Sequence, residues 1–480
     1  MTDRRDIPYR FEPTATAAEL HGVYADLAAG QESGVGATVA GRLMLRRIQG
    51  KLCFGTLDDA SGRIQLFAPA SVTPDYDCFC GLSIGDWVGA TGEVMKTRRG
   101  ELSVKVEDWR LLAEARRRFP DKWHGLADTD TRYRRRYVDL WVTPEARRAV
   151  AIRSAMVAAI RAELARRGFV EVETPMLHPI AGGAAARPFV THHNSLDCDF
   201  YLRIAPELYL KRLIVGGLTR VFELGRIFRN EGLSPRHSPE FTMLELYEAY
   251  ADYTDMMTLT EEVVAAAATA ATGAAEVPVG GRTLDLAAPW RRATMAEGVS
   301  EPLGLELPAT GGPASRAAAE LRTEADRHDV ATEAGWSAGR ILAEIYERRV
   351  EGELWGPVFV CDFPVEVSPL ARRHRSIDGL VERFEAVAAG RELANAFSEL
   401  ADPDDQRSRF AAQESRRRSG DGEAMRTDED YLRALEYGLP PTGGLGLGID
   451  RLAMLLCGAE TIRDVVLFPT LRPEAGSGES

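Results

Sequence analysis

The sequence predicts an α+β chain of more than one domain: a small β-barrel first, then a larger unit of β-sheet flanked by helices. Three observations carry this expectation. Residues 36–112 break into five short strand-like runs separated by Gly-rich turns. From residue 149 onward helical and strand periodicities alternate, beginning with Ile152, Met156, Ile160 and Leu164 at every fourth position. The chain has 480 residues, 45% hydrophobic and 27% charged, enough for two or three domains with substantial cores.

Composition narrows the class of function. No apolar run reaches the ~18 residues that a membrane span needs, so no membrane partner is expected. The start, M-T-D-R-R-D-I-P, lacks the apolar core of a secretion signal. Six cysteines are scattered at 53, 78, 80, 198, 361 and 457. Cys78 and Cys80 form the one close pair and have no second pair to complete a zinc site, so free thiols in a reducing cytoplasm are predicted. The net charge of −13 argues against indiscriminate nucleic-acid binding. The charge is uneven, however: residues 1–150 hold 23 Lys+Arg against 21 Asp+Glu. Arg110 to Arg136 is the most basic stretch, with R-R-R at 116–118 and again at 134–136. It reads equally as a solvated interdomain linker or as a surface for a polyanion's phosphates.

In chain order, residues 1–35 form a polar lead-in with a helix predicted over Ala17 to Leu27. Residues 36–112 suit a five-stranded barrel of the OB type, which binds single-stranded nucleic acid on its face. Leu102, Val104 and Val106 alternate with polar residues there, as a half-buried strand should. Arg42, Phe54 and Gln65 are the candidate base readers, since an aromatic ring stacks on a base while Arg and Gln read its edges. For a lone Phe, burial in the core is the commoner role. A linker over 113–148 is followed by a catalytic domain at 149–473 and a disordered tail at 474–480. The helix Ala149 to Arg167 stops at Gly168, and its apolar stripe fits a buried core or a subunit interface equally well. Another helix opens at 203–213 with Pro206 in its first turn; Glu207 there is a dipole-favoured acid or a ligand for an ammonium group. Residues 265–351 are Ala-rich and loop-rich and read as an inserted helical region with little chemistry, and 420–437 is similarly uninformative.

The organising stretch runs from Arg226 to Tyr250. Val221 to Glu231 and Phe241 to Tyr250 read as two strands joined by a polar loop containing His237. Period 2 places Arg229 and Glu231 on one face of the first strand. On the second strand it places Phe241, Met243, Glu245 and Tyr247 on one face. A buried carboxylate among apolar residues is costly without a partner, so this face predicts a ligand site rather than a plain core.

F-R-N-E-G followed by R-H-x-P-E-F-T resembles motif 2 of the class II aminoacyl-tRNA synthetases. G-F-V-E-V-E-T-P-M-L at 168–177 resembles motif 1, and G-L-G-L-G-I-D-R-L at 444–452 resembles motif 3. The continuation M-L-E-L-Y-E-A-Y-A-D-Y is similar to the lysine-specific branch, as are R-I-A-P-E-L-Y-L-K-R-L, F-P-V-E-V-S-P-L-A-R-R and R-F-E-x5-R-E-L-A-N-A-F-S-E-L. The resemblance covers about Pro8 to Pro473. It implies an antiparallel-sheet catalytic domain behind an anticodon-binding OB barrel, and a homodimer built on the motif 1 helix and strand. It also implies L-lysine, ATP and tRNA(Lys) as substrates, with Mg²⁺ as cofactor.

The implied roles follow residue by residue. Arg229 forks onto the α-phosphate and the amino-acid carboxylate, and Arg451 serves the γ-phosphate and one face of the adenine. Phe241 stacks on the other face, Glu231 accepts from the adenine amine, and His237 reaches the β- or γ-phosphate. Glu385 and Glu392 are the metal ligands, while Gly446 and Gly448 allow close backbone approach. Gly183 and Glu207 suit the α-amine, and Glu245, Tyr247, Asn395, Phe397 and Glu399 line the side-chain pocket. Phe54 and Gln65 match positions that take an anticodon base. Ala396 replaces a common Gly and is expected to narrow the pocket wall. Three readings compete. The first is a tRNA ligase. The second is a lysine-activating paralogue that modifies a protein or serves specialised metabolism or resistance. The third is a regulator that senses uncharged tRNA.

Overall fold

The computed structural model describes residues 6–117, 126–304, 318–333 and 335–474. It forms two compact units that divide between Ala127 and Asp128. Among the described residues no helix is long and apolar enough to cross a membrane. The tail expected at 474–480 lies outside the described residues apart from Glu474.

The first unit opens with α1 (Ala17–Val23), shorter than the predicted helix. Thr16 and Glu19 form a capping box at its start, and regular helix ends before Tyr24. The five predicted strands are present as β1 (Glu32–Gln49), β2 (Leu52–Asp58), β3 (Arg63–Pro69), β4 (Trp87–Lys96) and β5 (Leu102–Ala113), with the short α2 (Tyr76–Cys80) between β3 and β4. They close into a barrel in the order β1-β2-β3-β5-β4. Leu43, Leu57, Ile64, Leu66, Val88 and Val104 point inward, which is why the period-2 pattern was readable.

The second unit begins earlier than expected. The linker predicted over 113–148 is corrected by three helices: α3 (Thr129–Arg134), α4 (Arg136–Val142) and α5 (Pro144–Arg166). Asp128 caps α3 by accepting from Thr131 N at 2.7 Å, and Pro144 sits in the first turn of α5. The second R-R-R run is largely used within the fold. Arg136 is 2% exposed, donates to Asp139 at 2.7 Å and to the Arg463 carbonyl at 2.6 Å, and Arg134 pairs with Asp130 at 2.5 Å. Those two guanidinium groups serve the protein's own packing, while Arg135 between them is exposed.

After α5 come β6 (Val170–Glu171), a three-stranded sheet of β7 (Leu177–His178), β8 (Val190–His193) and β9 (Cys198–Leu202), then α6 (Glu207–Val215). The central hairpin is β10 (Arg220–Phe228) and β11 (Glu240–Ala249), followed by α7 (Tyr253–Thr272). The region read as an inserted helical segment also holds strands. The hairpin β12 (Glu276–Val279) and β13 (Arg282–Asp285) precedes β14 (Arg291–Thr294), α8 (Met295–Leu303), α9 (Ala318–Arg327) and α10 (Ala338–Arg349). The chain continues through β15 (Val358–Pro364), β16 (Leu380–Ala388), β17 (Arg391–Ser398), α11 (Pro403–Arg418) and α12 (Glu429–Glu436). It closes with β18 (Thr442–Gly448), α13 (Ile449–Cys457) and α14 (Ile462–Val465).

One eight-stranded sheet runs in the order β14-β15-β16-β17-β18-β11-β10-β6. Its six central strands are antiparallel, while β14 pairs parallel to β15 and β6 parallel to β10. One sheet face packs against helices: Phe222, Leu244, Leu246, Ala396, Leu445 and Leu447 share a core with residues of α5, α7 and α13. Ile152, Met156, Ile160 and Leu164 of α5 are buried in that same core. This stripe is intramolecular and cannot also form a subunit contact. The other sheet face is open and carries the site.

Candidate active site

Two adjoining pockets lie on the open face of the sheet, over β11, β17 and β18. The first is lined by Arg229, Glu231, His237, Phe241, Glu392, Gly448 and Arg451, all seven residues expected to hold the nucleotide. The second is lined by Gly183, Glu207, Glu245, Tyr247, Asn395, Phe397 and Glu399, all seven expected to hold the amino acid. Arg229, Met243, Asn395 and Gly446 line both. Arg229 and Glu231 lie just past the end of β10, which stops at Phe228, rather than on the strand as expected. The Arg229 N–H donates to the Pro239 carbonyl at 2.8 Å, which holds the mouth of the hairpin together.

A β-bulge brings two sets of side chains to one face. Along β17, Glu392 and Asn395 differ by three positions, so strict alternation would send them to opposite faces. The register with β16 slips between Ala386↔Ala394 and Val387↔Glu392, and the extra residue turns Glu392 back toward the pocket. On β18 the pocket face carries only Gly444, Gly446 and Gly448, while Leu445 and Leu447 face the core. The missing side chains make the floor. A Cβ at Gly444 would lie 2.0 Å from Glu399 Oε1 and 2.6 Å from Tyr247 Cε1. Ala396 sits in the core beneath this sheet, paired with Leu445 and 0% exposed. It therefore does not narrow the pocket wall, contrary to the expectation.

The first pocket is cationic at its rim and aromatic inside. Arg451 Nη1 donates to Glu392 Oε2 at 2.7 Å. His237 is held by Ser234, whose Oγ lies 2.8 Å from Nδ1, and burial with the neighbouring Arg451 lowers its pKa. The Arg229 guanidinium stands 5.2 Å from the Phe241 ring, and its buried Nε has no hydrogen-bond partner among the described residues. A half-buried guanidinium with an unpaired Nε between two pockets is a ready receptor for an anion. Asp450 fixes this corner: it pairs with Arg153 of α5 and accepts from Thr242 N at 2.6 Å, next to Phe241.

The second pocket is acidic. Glu207, Glu245 and Glu399 are 7%, 5% and 2% exposed. Burial, reinforced by Glu207, raises the Glu245 pKa to about 8, while Arg229 and Arg203 pull it back. Tyr247 OH lies 3.5 Å from Glu245 Oε2. One residue here was not anticipated. Lys211, 0% exposed, donates to Glu207 Oε1 at 2.5 Å and forms an ion pair with Glu399 Oε2. The signal was present, since Lys211 follows Glu207 by four positions on one helix. Tyr431 of α12, from a stretch read as uninformative, puts its ring 5.9 Å from the same ammonium.

The expected metal pair is less tightly assembled. Glu385 lines neither pocket and is held by Arg383 Nη2 at 2.6 Å. Burial, with Glu392, Glu351 and Glu347 nearby, raises its pKa to about 8 against the pull of Arg383. Among the described residues there is no group of three or more His, Cys, Asp or Glu placed to hold a metal.

On the barrel, Phe54 and Gln65 share the outer face. Phe54 meets Phe67 edge-on with ring centroids 5.7 Å apart, and the Arg47 guanidinium lies 5.0 Å over it. Gln65 accepts from Ser103 Oγ at 3.0 Å. Arg42 pairs in register with Asp58, four positions along β2 from Phe54, donates to the Gly85 carbonyl at 2.7 Å and stacks 4.8 Å over Trp87. Phe54 and Gln65 thus lie on adjoining strands, and Arg42 lies one strand further over.

Comparison with known proteins agrees with this architecture. Residues 128–472 match the model for tRNA synthetases class II (D, K and N), and residues 37–112 match that for the OB-fold nucleic acid binding domain. A lysine–tRNA ligase of Prochlorococcus marinus (strain MIT 9211) is 52% identical over 488 residues, covering 98% of this chain and 96% of the relative. One from Parasynechococcus marenigrum (strain WH8102) is 52% identical over 488 residues, covering 100% and 96%. A third, from Synechococcus sp. (strain CC9311), is 53% identical over 473 residues, covering 97% and 96%.

Proposed function

The chain belongs to the class II tRNA synthetases of the D, K and N group, and on that footing we propose that it is a lysine–tRNA ligase. It activates L-lysine with ATP to lysyl-adenylate and passes the lysyl group to the 3′ end of tRNA(Lys). The observation that carries the reading is the Arg229 guanidinium, unpaired at Nε between a pocket for a nucleotide and a pocket with three buried carboxylates.

In the first step the lysine carboxylate attacks the α-phosphorus and pyrophosphate leaves. Arg229 bridges the two reactants, lowering their mutual repulsion and fixing the line of attack. Phe241 and Arg451 sandwich the adenine, Glu231 accepts from its amine, and His237 meets the departing phosphates. Glu207 and the backbone at Gly183 hold the α-ammonium, while Glu245 with Tyr247 and Glu399 hold the ε-ammonium. In the second step a terminal ribose hydroxyl of the tRNA attacks the activated carbonyl and AMP leaves. Glu385 and Glu392 fit Mg²⁺: they are oxygen donors, and Glu392 contributes to raising the Glu385 pKa. Since the described residues hold no group of three such side chains placed to hold a metal, the remaining ligands would be phosphate oxygens and water, and the ion would neutralise phosphate charge.

The barrel carries the anticodon contact through Phe54 and Gln65. The match of residues 37–112 to an OB-fold nucleic acid binding domain supports tRNA over a protein acceptor. The enzyme works in the cytoplasm as a homodimer. With the α5 stripe committed to the core, the dimer surface is the exposed side carrying Val150, Val170, Met176 and Leu177, which are 37%, 50%, 45% and 43% exposed. ATP–pyrophosphate exchange across the twenty amino acids, followed by charging of tRNA(Lys), tests the assignment. Lysine alone should support exchange, and equal exchange with asparagine or aspartate would refute it.

A further inference from the structure

The acidic pocket already contains a cation before any substrate enters. Lys211 Nζ is buried between Glu207, at 2.5 Å, and Glu399, and three rings surround it: Phe397 at 5.4 Å, with Tyr247 and Tyr431 at 5.9 Å each. Glu399 Oε1 has no hydrogen-bond partner among the described residues and points at the bare Gly444 floor. With all three carboxylates ionised, the one ammonium leaves a formal charge of −2 in the pocket. A free α-amino acid with a second amine brings two positive charges there, its carboxylate being directed to Arg229.

We infer that Lys211 is a resident counter-ion that sets the charge of the lysine pocket, tuning it to a diamino acid. The inference rests on the lysine-activating reading of the site. Burial already raises the Glu245 pKa, and without Lys211 it would drive a second of the three crowded acids to bind a proton instead of substrate. With it, Glu207 and Glu399 each give one oxygen to the ammonium and keep the other for substrate. The groups facing this centre are Glu207 from α6, Glu245 and Tyr247 from β11, and Tyr431 from α12, with Arg229 and Arg203 acting on Glu245. Burial works against the ammonium, but Glu207 and Glu399 outweigh it and hold its pKa above the ordinary value. Lys211 is a positioning residue: it acts on the carboxylates that touch the substrate.

The test is the pH dependence of lysine kcat/KM in ATP–pyrophosphate exchange, from pH 6 to 9, for wild type, K211M and K211R. Losing a cation this close should move the acid limb of the K211M profile upward by about one pH unit or more. Lysine kcat/KM near pH 7 should then fall at least tenfold, by the arithmetic of one such unit, while the KM for ATP stays within about twofold. K211R keeps the charge, so its limb should remain at the wild-type pH even if its activity drops. A K211M profile superimposable on wild type overturns the inference, with or without a loss of activity. If K211M does not fold, K211R decides: a displaced limb there shows that charge is not what Lys211 supplies, and an undisplaced limb supports it. Absence of lysine-dependent exchange in the wild type would instead remove the underlying reading.

Discussion

Arg451 Nη1 and Glu392 Oε2 are hydrogen-bonded at 2.7 Å, although one is proposed to meet phosphate and the other a metal ion. They satisfy each other, which limits the cost of holding a half-buried acid and a half-buried base in one pocket. Binding of nucleotide has to separate them. Glu392→Ala should therefore cost on the order of 10²-fold in exchange kcat, the size of one lost electrostatic stabiliser. Lysine binding without ATP should survive and is measurable by calorimetry. Unchanged exchange would remove Glu392 from the metal site.

The Gly444 floor gives a second prediction. Gly444→Ala puts a methyl group 2.0 Å from Glu399 Oε1 and 2.6 Å from the Tyr247 ring, both buried. Overpacking of this kind costs about 1–3 kcal/mol. If it is relieved by pushing Glu399 aside, lysine kcat/KM should fall roughly 5- to 150-fold, the equivalent of that energy, with the KM for ATP unaltered. A variant with wild-type lysine kinetics would show that Glu399 lies outside the substrate path.

How far the sequence revealed this site depends on the kind of signal. The open face of β11 was legible because Phe241, Met243, Glu245 and Tyr247 obey period 2 without interruption. The core role of Leu445 and Leu447 and the floor role of their glycine neighbours follow from the same rule. Period 2 fails at Glu392, because the bulge against β16 depends on pairing that a single strand does not encode. Ala396 was misplaced although period 2 holds there: it alternates with Asn395 and Phe397, which line the pocket, and so faces the core. Resemblance supplied most of the site roles, yet Lys211 was overlooked although it stands four residues from Glu207. A lysine on a helix reads as a surface residue until its partners are known, and Glu399 is 188 positions away. The basic run at 134–136 erred in the opposite direction, looking like a surface while Arg136 is buried on Asp139.

On the barrel, Phe54 packs against Phe67 on one edge and lies under Arg47, leaving an aromatic platform on the outer face. Losing a stacking ring costs on the order of 1–3 kcal/mol per base. Phe54→Ala should raise the KM for tRNA(Lys) by roughly 5- to 150-fold, the equivalent of that energy, and leave lysine-dependent exchange intact. Charging assays with wild-type tRNA affinity would mean that the barrel does not contact the anticodon through this ring.

Discrimination between lysine and norleucine should depend on pH, and the sign follows from Glu245. Its pKa is raised to about 8 by burial and by Glu207, against the opposing pull of Arg229 and Arg203, with Glu223 adding a smaller push and Tyr247 alongside. Below pH 8 the empty pocket therefore holds this acid mainly protonated. The ε-ammonium of lysine needs the ionised form, so binding must expel a proton. The ionised fraction rises about tenfold per pH unit below the pKa and levels off above it. Lysine kcat/KM should climb accordingly from pH 6 to 8 and then flatten. Norleucine has lysine's length without the charge and gains nothing from ionised Glu245, so its poor rate should stay flat or decline. A site built to pair a buried polar group rejects an analogue lacking its partner by as much as roughly 10⁴–10⁵. Because Lys211 already neutralises Glu399 and a proton can neutralise Glu245, that ceiling should be approached only above pH 8. Glu245→Gln should abolish the acid limb as well as most lysine activity. Parallel lysine and norleucine profiles between pH 6 and 8 would show that Glu245 does not receive the ε-ammonium.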